Sequence, residues 1–311
     1  MKKRIGILGI PLGYAGVRRG SELGCLAIRS ANPQGSGLAQ AIEKLGYDVV
    51  DHGDIDVPDT TEIGAESSNL KHLREIADVS AKSAEAVYSI LESGELPILL
   101  GGDHAIAIGT YSGISAYYRS KEEPIGLIWF DAHADINSPD TTLSGNIHGM
   151  PLAALLGRGH ESLVGLSGFS PKVDRDRFVH IGARDVDPGE RLMIDELGVR
   201  DRFLTMSDVD RFGMVECMNR AIDLASNGGS GKFAVTFDVD VIDPRFAPGS
   251  GTLARGGLTY REAHLCLEMI AESGLMAAFE IVEVNPLLDE KNITVELAAE
   301  LVLSSLGKTI I

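Results

Sequence analysis

Three short stretches of this chain place carboxylates and imidazoles where an apolar run has just ended. In Leu99-Leu100-Gly101-Gly102-Asp103-His104, two glycines permit a tight turn before a polar pair. In Trp129-Phe130-Asp131-Ala132-His133-Ala134-Asp135, the polar side chains are spaced two apart. Residues two apart share a face of a strand, so Asp131, His133 and Asp135 should converge at one strand end and its exit loop. In Phe233-Ala234-Val235-Thr236-Phe237-Asp238-Val239-Asp240, an apolar strand again ends in carboxylates two apart. Each motif also has a plain reading. His104 alone suits a hydrogen-bonded structural histidine, Asp238 and Asp240 a turn or helix cap, and Asp243 before Pro244 a turn opening. The glycine turn could cradle a phosphate, but it lacks both the P-loop lysine and the GxGxxG spacing. Burying several acids after apolar strands is costly unless a cation compensates them. Taken together, His104, Asp131, His133, Asp135, Asp238 and Asp240 offer imidazoles and carboxylates but no thiolate, which suits a hard or borderline ion such as Mn²⁺. Six donors are too many for one catalytic ion that keeps an open position. They suit two ions that share carboxylates at ~3.5–4 Å and acidify a bridging water.

Those residues need a scaffold that delivers strand ends to one place. Short apolar runs alternate with helical patterns along the chain. Strands are expected over 4–10, 47–51, 96–100, 125–130, 178–181, 202–205, 233–238 and 277–283. Several are apolar throughout, as strands buried on both faces of a parallel sheet are. Helices are expected over 38–45, 70–91, 104–118, 209–224, 260–271 and 294–306, with loop-rich stretches at 139–146, 157–176 and 243–257. The alternation predicts a three-layer αβα domain, doubly wound around a mostly parallel sheet of about eight strands, with residues 1–311 forming one domain. Ligands of such sheets bind beyond the carboxyl ends of the strands, where all three motifs lie.

Composition narrows the partners. The 311 residues hold 28 Lys+Arg against 45 Asp+Glu, a net charge of −17, which opposes a nucleic-acid partner and favours a cationic ligand. Cys25, Cys217 and Cys266 are odd in number and far apart, so a reducing cytoplasm is expected rather than a disulfide framework. The apolar run after Met1–Arg4 is short for a signal peptide, and no run reaches the ~18 apolar residues of a membrane span.

The same motifs resemble the ureohydrolase family, which contains arginases, agmatinases, other guanidino-acid hydrolases and formimidoylglutamases. The resemblance runs from Gly6–Pro11 to the last helix. Further stretches make it most similar to the arginases: Asp135–Pro151, Ile181–Glu190, Gly251-Thr252 with Gly256–Glu262, and Glu283–Pro286. It implies an arginase/deacetylase-like fold and two Mn²⁺ ions held by the six donors above. The implied reaction is hydrolysis of L-arginine to L-ornithine and urea by a metal-bridging hydroxide, in a cytoplasmic trimer or hexamer with no membrane or nucleic-acid partner. The alternative is another guanidino substrate, agmatine or a guanidino acid. A guanidinium stays charged near neutral pH and needs a carboxylate, a role that falls to Glu283. The resemblance gives Asp135 a proton relay and His148 the acid/base position. It also implies that Asn137 and Ser144 read an α-carboxylate, with Thr142 through water. Asp187, supported by Glu190 and joined by Asn146, would read an α-ammonium, and Thr252 would steady Glu283 or the guanidinium side. Agmatine has no carboxylate and would leave those donors unpaired, a mismatch that discriminates strongly.

Overall fold

A computed structural model describes residues 2–31, 35, 37–59 and 70–310. All eight expected strands form: β1 (Arg4–Ile10), β2 (Asp48–Asp54), β3 (Glu95–Gly101), β4 (Ile125–Phe130), β5 (Phe178–Ile181), β6 (Phe203–Leu204), β7 (Lys232–Asp238) and β8 (Met276–Val282). They make one sheet in the order β2-β1-β3-β8-β7-β4-β5-β6, and every neighbouring pair is parallel. The strands at the two edges differ from the rest. β2 is largely exposed and polar and β6 has two residues, as edge strands that discourage pairing with other chains do. The central strands are apolar because both of their faces are covered.

Two separate hydrophobic cores show the three layers. On one face pack α1 (Gly24–Ser30), α2 (Leu38–Lys44), α8 (Met206–Phe212), α9 (Met214–Ser226), α10 (Tyr260–Ser273) and α11 (Ile293–Ser305). On the other pack α3 (Leu73–Glu92), α4 (Ile106–Ser120), α5 (Pro151–Leu155), α6 (Glu161–Val164) and α7 (Pro188–Leu197). The interior of α3 shows why these helices form where they do. Ile76, Val79, Ser83, Val87 and Ile90, spaced three and four apart, are buried and bring one stripe onto the sheet.

The expected helix over 209–224 is two helices. Gly213, at φ 79 and ψ 155, ends α8 and starts α9, because this backbone conformation suits a residue without Cβ. Helix α7 was not anticipated, although its start is legible. Asp187 caps it in a reciprocal pairing with Glu190, and Pro188 takes the first turn. The loop-rich stretch 157–176 contains the one-turn helix α6. Among the described residues, no helix is long and apolar enough to cross a membrane.

Candidate active site

The sheet order puts β3, β8, β7 and β4 side by side. Their carboxyl ends carry His104, Glu283, Asp238 with Asp240, and Asp131, so residues far apart in sequence meet at one sheet end. Close approach is required there. A Cβ on Gly102 would lie 1.7 Å from the Leu12 carbonyl oxygen, so only glycine lets the turn after β3 pass under the N-terminal loop.

The six expected donors converge around Asp131. His104 Nδ1 lies 3.0 Å from Asp131 Oδ2, 3.1 Å from Asp135 Oδ2 and 3.3 Å from Asp238 Oδ2. His133 Nδ1 lies 3.4 Å from Asp131 Oδ1 and 3.1 Å from Asp240 Oδ2. Each oxygen of Asp131 thus faces a different imidazole. Two donor groups result, His104-Asp131-Asp135 and Asp131-His133-Asp240, and Asp131 belongs to both. The donor chemistry fits two divalent cations that share a carboxylate. A further observation agrees: among the described residues the buried Nδ1 of His104 has no hydrogen-bond partner although it faces three carboxylate oxygens. A bare nitrogen there is repelled unless a cation or proton lies between.

Main-chain donors fix these carboxylates. The amides of His133, Ala132 and Asp240 donate to Asp131 Oδ1, Asp240 Oδ1 and Asp238 Oδ1 at 2.7, 3.1 and 2.8 Å. Trp129 donates its indole N–H to Asp131 Oδ2 at 3.2 Å, and its ring stacks on His104 at 4.2 Å. Crowding sets the titration. Burial would raise the Asp131 carboxyl, but both imidazoles hold it well below the usual range. Burial and the neighbouring Asp131 charge push Asp135 up to about 7, and burial with Asp240 and Asp131 drives Asp238 well upward. Without cations, the cluster can keep only part of its negative charge.

Glu283 stands beside the cluster. Its Oε1 accepts from the His104 main-chain amide and contacts His148 Nδ1, both at 3.1 Å. Burial opposes a charge on His148, but Glu283, Asp135 and Asp103 outweigh it and raise the imidazole to about 9. Asp135 and Glu283 hold φ values of 51° and 62°, a strained region for residues with a Cβ, and strain of this kind gathers at functional sites.

The substrate-side candidates already have partners within the protein. Asn137 Nδ2 donates to Asp187 Oδ2 at 2.9 Å, while its carbonyl oxygen accepts from Thr141. Asp187 caps α7. Glu190 Oε1 accepts from the amides of Ala134 and Asp135, at 3.2 and 2.8 Å, and Oε2 from that of Asp187 at 2.9 Å. Burial nevertheless raises Glu190 to about 8. Thr142 and Ser144 accept main-chain amides within their own turn. Asn146 Oδ1 accepts from the Lys71 ammonium at 2.8 Å. Thr252 donates to Asp240 Oδ2 at 3.1 Å, so its contact is with the carboxylate cluster.

Three supporting features escaped the sequence reading. Behind His104, Nε2 meets Thr236 Oγ1 at 3.0 Å; Thr236 donates onward to Glu280 Oε1 at 2.8 Å, and Thr110 donates to Glu280 Oε2 at 2.6 Å. The hydroxyl of Thr236 spends its proton on Glu280, so it accepts from Nε2–H and leaves His104 Nδ1 free of a proton to face the cluster. The signal was an acid inside an otherwise apolar strand, Ala277-Ala278-Phe279-Glu280. Arg184 donates to the carbonyls of Gly182, Asp240, Val241, Ala254 and Arg255 at 2.6–3.3 Å, tying the ends of β5 and β7 to the Thr252 loop. The third is Lys71. A cavity of about 480 Å³ opens at the opposite end of the strands, lined by Arg4, Glu95, Lys232 and Met276 among others. It includes none of the six donors, so the chemistry belongs to the carboxyl ends.

Comparison with known proteins bears on the family and the fold. Residues 3–307 match the model of the arginase family. The chain is 42% identical over 307 residues to an arginase of Bacillus caldovelox, covering 98% of this chain and 99% of that one. It is also 42% identical over 311 residues to an arginase of Bacillus subtilis, covering all of both. The native structure of the Bacillus caldovelox arginase superimposes with a TM-score of 0.91 at 41% identity, covering all of both chains.

Proposed function

The chain belongs to the arginase family, and we propose that it hydrolyses L-arginine to L-ornithine and urea at the centre around Asp131, with two Mn²⁺ ions as cofactor. The observation that carries this reading is the junction of two donor groups at Asp131 with the Glu283–His148 pair beside them. His104, Asp135 and Asp238 would hold one ion and His133 and Asp240 the other, with Asp131 between them. When bound, two such cations acidify water and so supply a nucleophile at neutral pH.

The side chains of the chain itself do the rest. Glu283 pairs with the guanidinium and sets its central carbon against the cluster. Its own orientation is fixed by the His104 amide and by His148, so little freedom is lost when substrate binds. Addition of water to the guanidinium carbon places four substituents on it, and collapse breaks the bond to the side-chain nitrogen. That nitrogen leaves as an amine and must gain a proton. Asp135 takes up the proton released by water and returns it to the leaving nitrogen. His148, joined through Nδ1 to Glu283, keeps Nε2 for exchange of protons with solvent and product amine. Asp187 presents negative charge to the α-ammonium, with Glu190 holding the Asp187 amide behind it, and Ser144 and Thr142 face the α-carboxylate.

Urea release from L-arginine, agmatine and a set of guanidino acids, with Mn²⁺ and after chelation, tests the proposal. Turnover of L-arginine that is lost on chelation and restored by Mn²⁺ is expected. Urea from another guanidino compound with little from L-arginine would overturn the substrate, and turnover surviving complete metal removal would overturn the cofactor.

A further inference from the structure

At and beside the carboxylate cluster the chain places Asp103, Asp131, Asp135, Asp238, Asp240, Glu283, Asp187 and Glu190, all but Asp187 buried. Two divalent ions, the guanidinium and the α-ammonium together offset at most six of the eight charges that these carboxylates can carry. An amino acid that brings its own α-carboxylate into this field is repelled unless a cation meets it. Asn137 spends one of its two amide protons on Asp187 Oδ2, which leaves a single neutral donor for that carboxylate.

Lys71 is placed to meet it. Its main-chain N–H donates to the Gly145 carbonyl at 3.0 Å, and its ammonium donates to Asn146 Oδ1 at 2.8 Å. Both partners lie in the 142–146 turn, two and three residues before His148. Asn146 is buried and anchors the otherwise exposed ammonium, and among the described residues this one bond leaves two of its three donors unused. Ser144 Oγ accepts from the Asn146 amide, so its own proton can point the same way. The neighbouring His72 packs edge-on against Tyr14 at 5.2 Å, which holds the Lys71 segment to the N-terminal loop. In that loop Gly16 faces His148.

We propose that Lys71 is a specificity-determining residue that meets the α-carboxylate of the substrate and, with Ser144, selects amino-acid guanidino compounds over their decarboxylated or amidated analogues. The inference rests on the arginase reading above. Lys71 lies away from the reacting carbon, so its contact is the same in ground and transition states and acts mainly through KM.

The test measures kcat/KM of the Mn²⁺-loaded enzyme and its Lys71→Met and Lys71→Arg variants on L-arginine, L-argininamide and agmatine. Loss of one hydrogen bond between charged groups predicts a fall of about 10- to 100-fold for Lys71→Met on L-arginine, mostly in KM. The two analogues without a carboxylate should change less than about threefold, and Lys71→Arg should recover part of the loss. L-Ornithine binding, measured by calorimetry, should weaken by a similar factor. A role confined to bracing the turn through Asn146 would slow all three substrates alike, and that result overturns the proposal. So does an unchanged preference for L-arginine over L-argininamide. Should Lys71→Met fail to fold, Lys71→Gln carries the same comparison. Failure of the unmutated enzyme on L-arginine would instead refute the arginase reading, so the two outcomes are distinguishable.

Discussion

Replacing Thr236 by Val would test whether the hydroxyl behind His104 orients it. Valine has nearly the same shape, so little cavity forms; what disappears is the oxygen that accepts from His104 Nε2 at 3.0 Å and donates to Glu280 Oε1 at 2.8 Å. Thr236 is 3% exposed, so water cannot take its place. An unpaired buried imidazole N–H costs ~1–3 kcal/mol, and a lost donor to a buried carboxylate costs a similar amount. Glu280 limits the second cost, because burial already raises its pKa and Thr110 still holds its other oxygen. A net loss of about 2–4 kcal/mol in unfolding free energy is therefore expected, a large share of the ~5–15 kcal/mol typical of folded proteins. Released from Thr236, His104 can turn or carry its proton on Nδ1, and metal affinity should fall about 10- to 100-fold. Guanidinium unfolding of the chelated proteins reads the first effect and calorimetric Mn²⁺ titration the second. Thr236→Ser, which keeps the hydroxyl, should retain most of the metal affinity. If Thr236→Val binds Mn²⁺ as tightly as the parent, the hydroxyl does not orient His104 and the reasoning fails.

Chelation should also lower stability. Metal present at one hundred times its dissociation constant adds ~2.7 kcal/mol per site, so EDTA should shift the denaturant midpoint down and Mn²⁺ should restore it; an unmoved midpoint would contradict the two-ion site. In the metal-free protein, His148 is raised from 6.5 in the unfolded chain to about 9, so its contribution is full below pH 6.5 and is lost as pH rises through 9. The stability gap between the parent and His148→Gln should shrink from pH 6.5 to 9.5, and a gap independent of pH would remove the charged pair with Glu283. Glu190→Gln turns an acceptor of three main-chain amides into a group with one acceptor and one donor. It should cost about 2–4 kcal/mol by denaturant unfolding and loosen the Asp135 turn; a cost under ~0.5 kcal/mol, typical of surface changes, would refute that role.

How much was legible depended on how local the signal was. The strand ends were readable because apolar runs that stop at Asp131, Asp238 and Gly101 announce themselves within a few residues. Helix α7 is readable in principle from Asp187, Pro188 and Glu190, but one carboxylate suits both a helix cap and a substrate contact, so the motif alone does not announce the helix. The break at Gly213 was missed because apolar spacing continues across it, whereas the backbone turns. Thr236, Glu280, Arg184 and Lys71 carry no pattern of their own; each acts through a partner between 56 and 170 positions away or through several carbonyls at once.

By itself, the sequence determined that carboxylates and imidazoles would gather at strand ends, because side-chain alternation and the cost of burying acids are local rules. Only the tertiary structure decided that β8 and β7 lie between β3 and β4, which makes Asp131 the shared carboxylate and sets Glu283 beside His148. It also decided that Asn137 and Asn146 are already engaged by Asp187 and Lys71. Strand order and the pairing of distant polar groups follow from how the whole sheet buries its two faces, and no short window of residues contains that information.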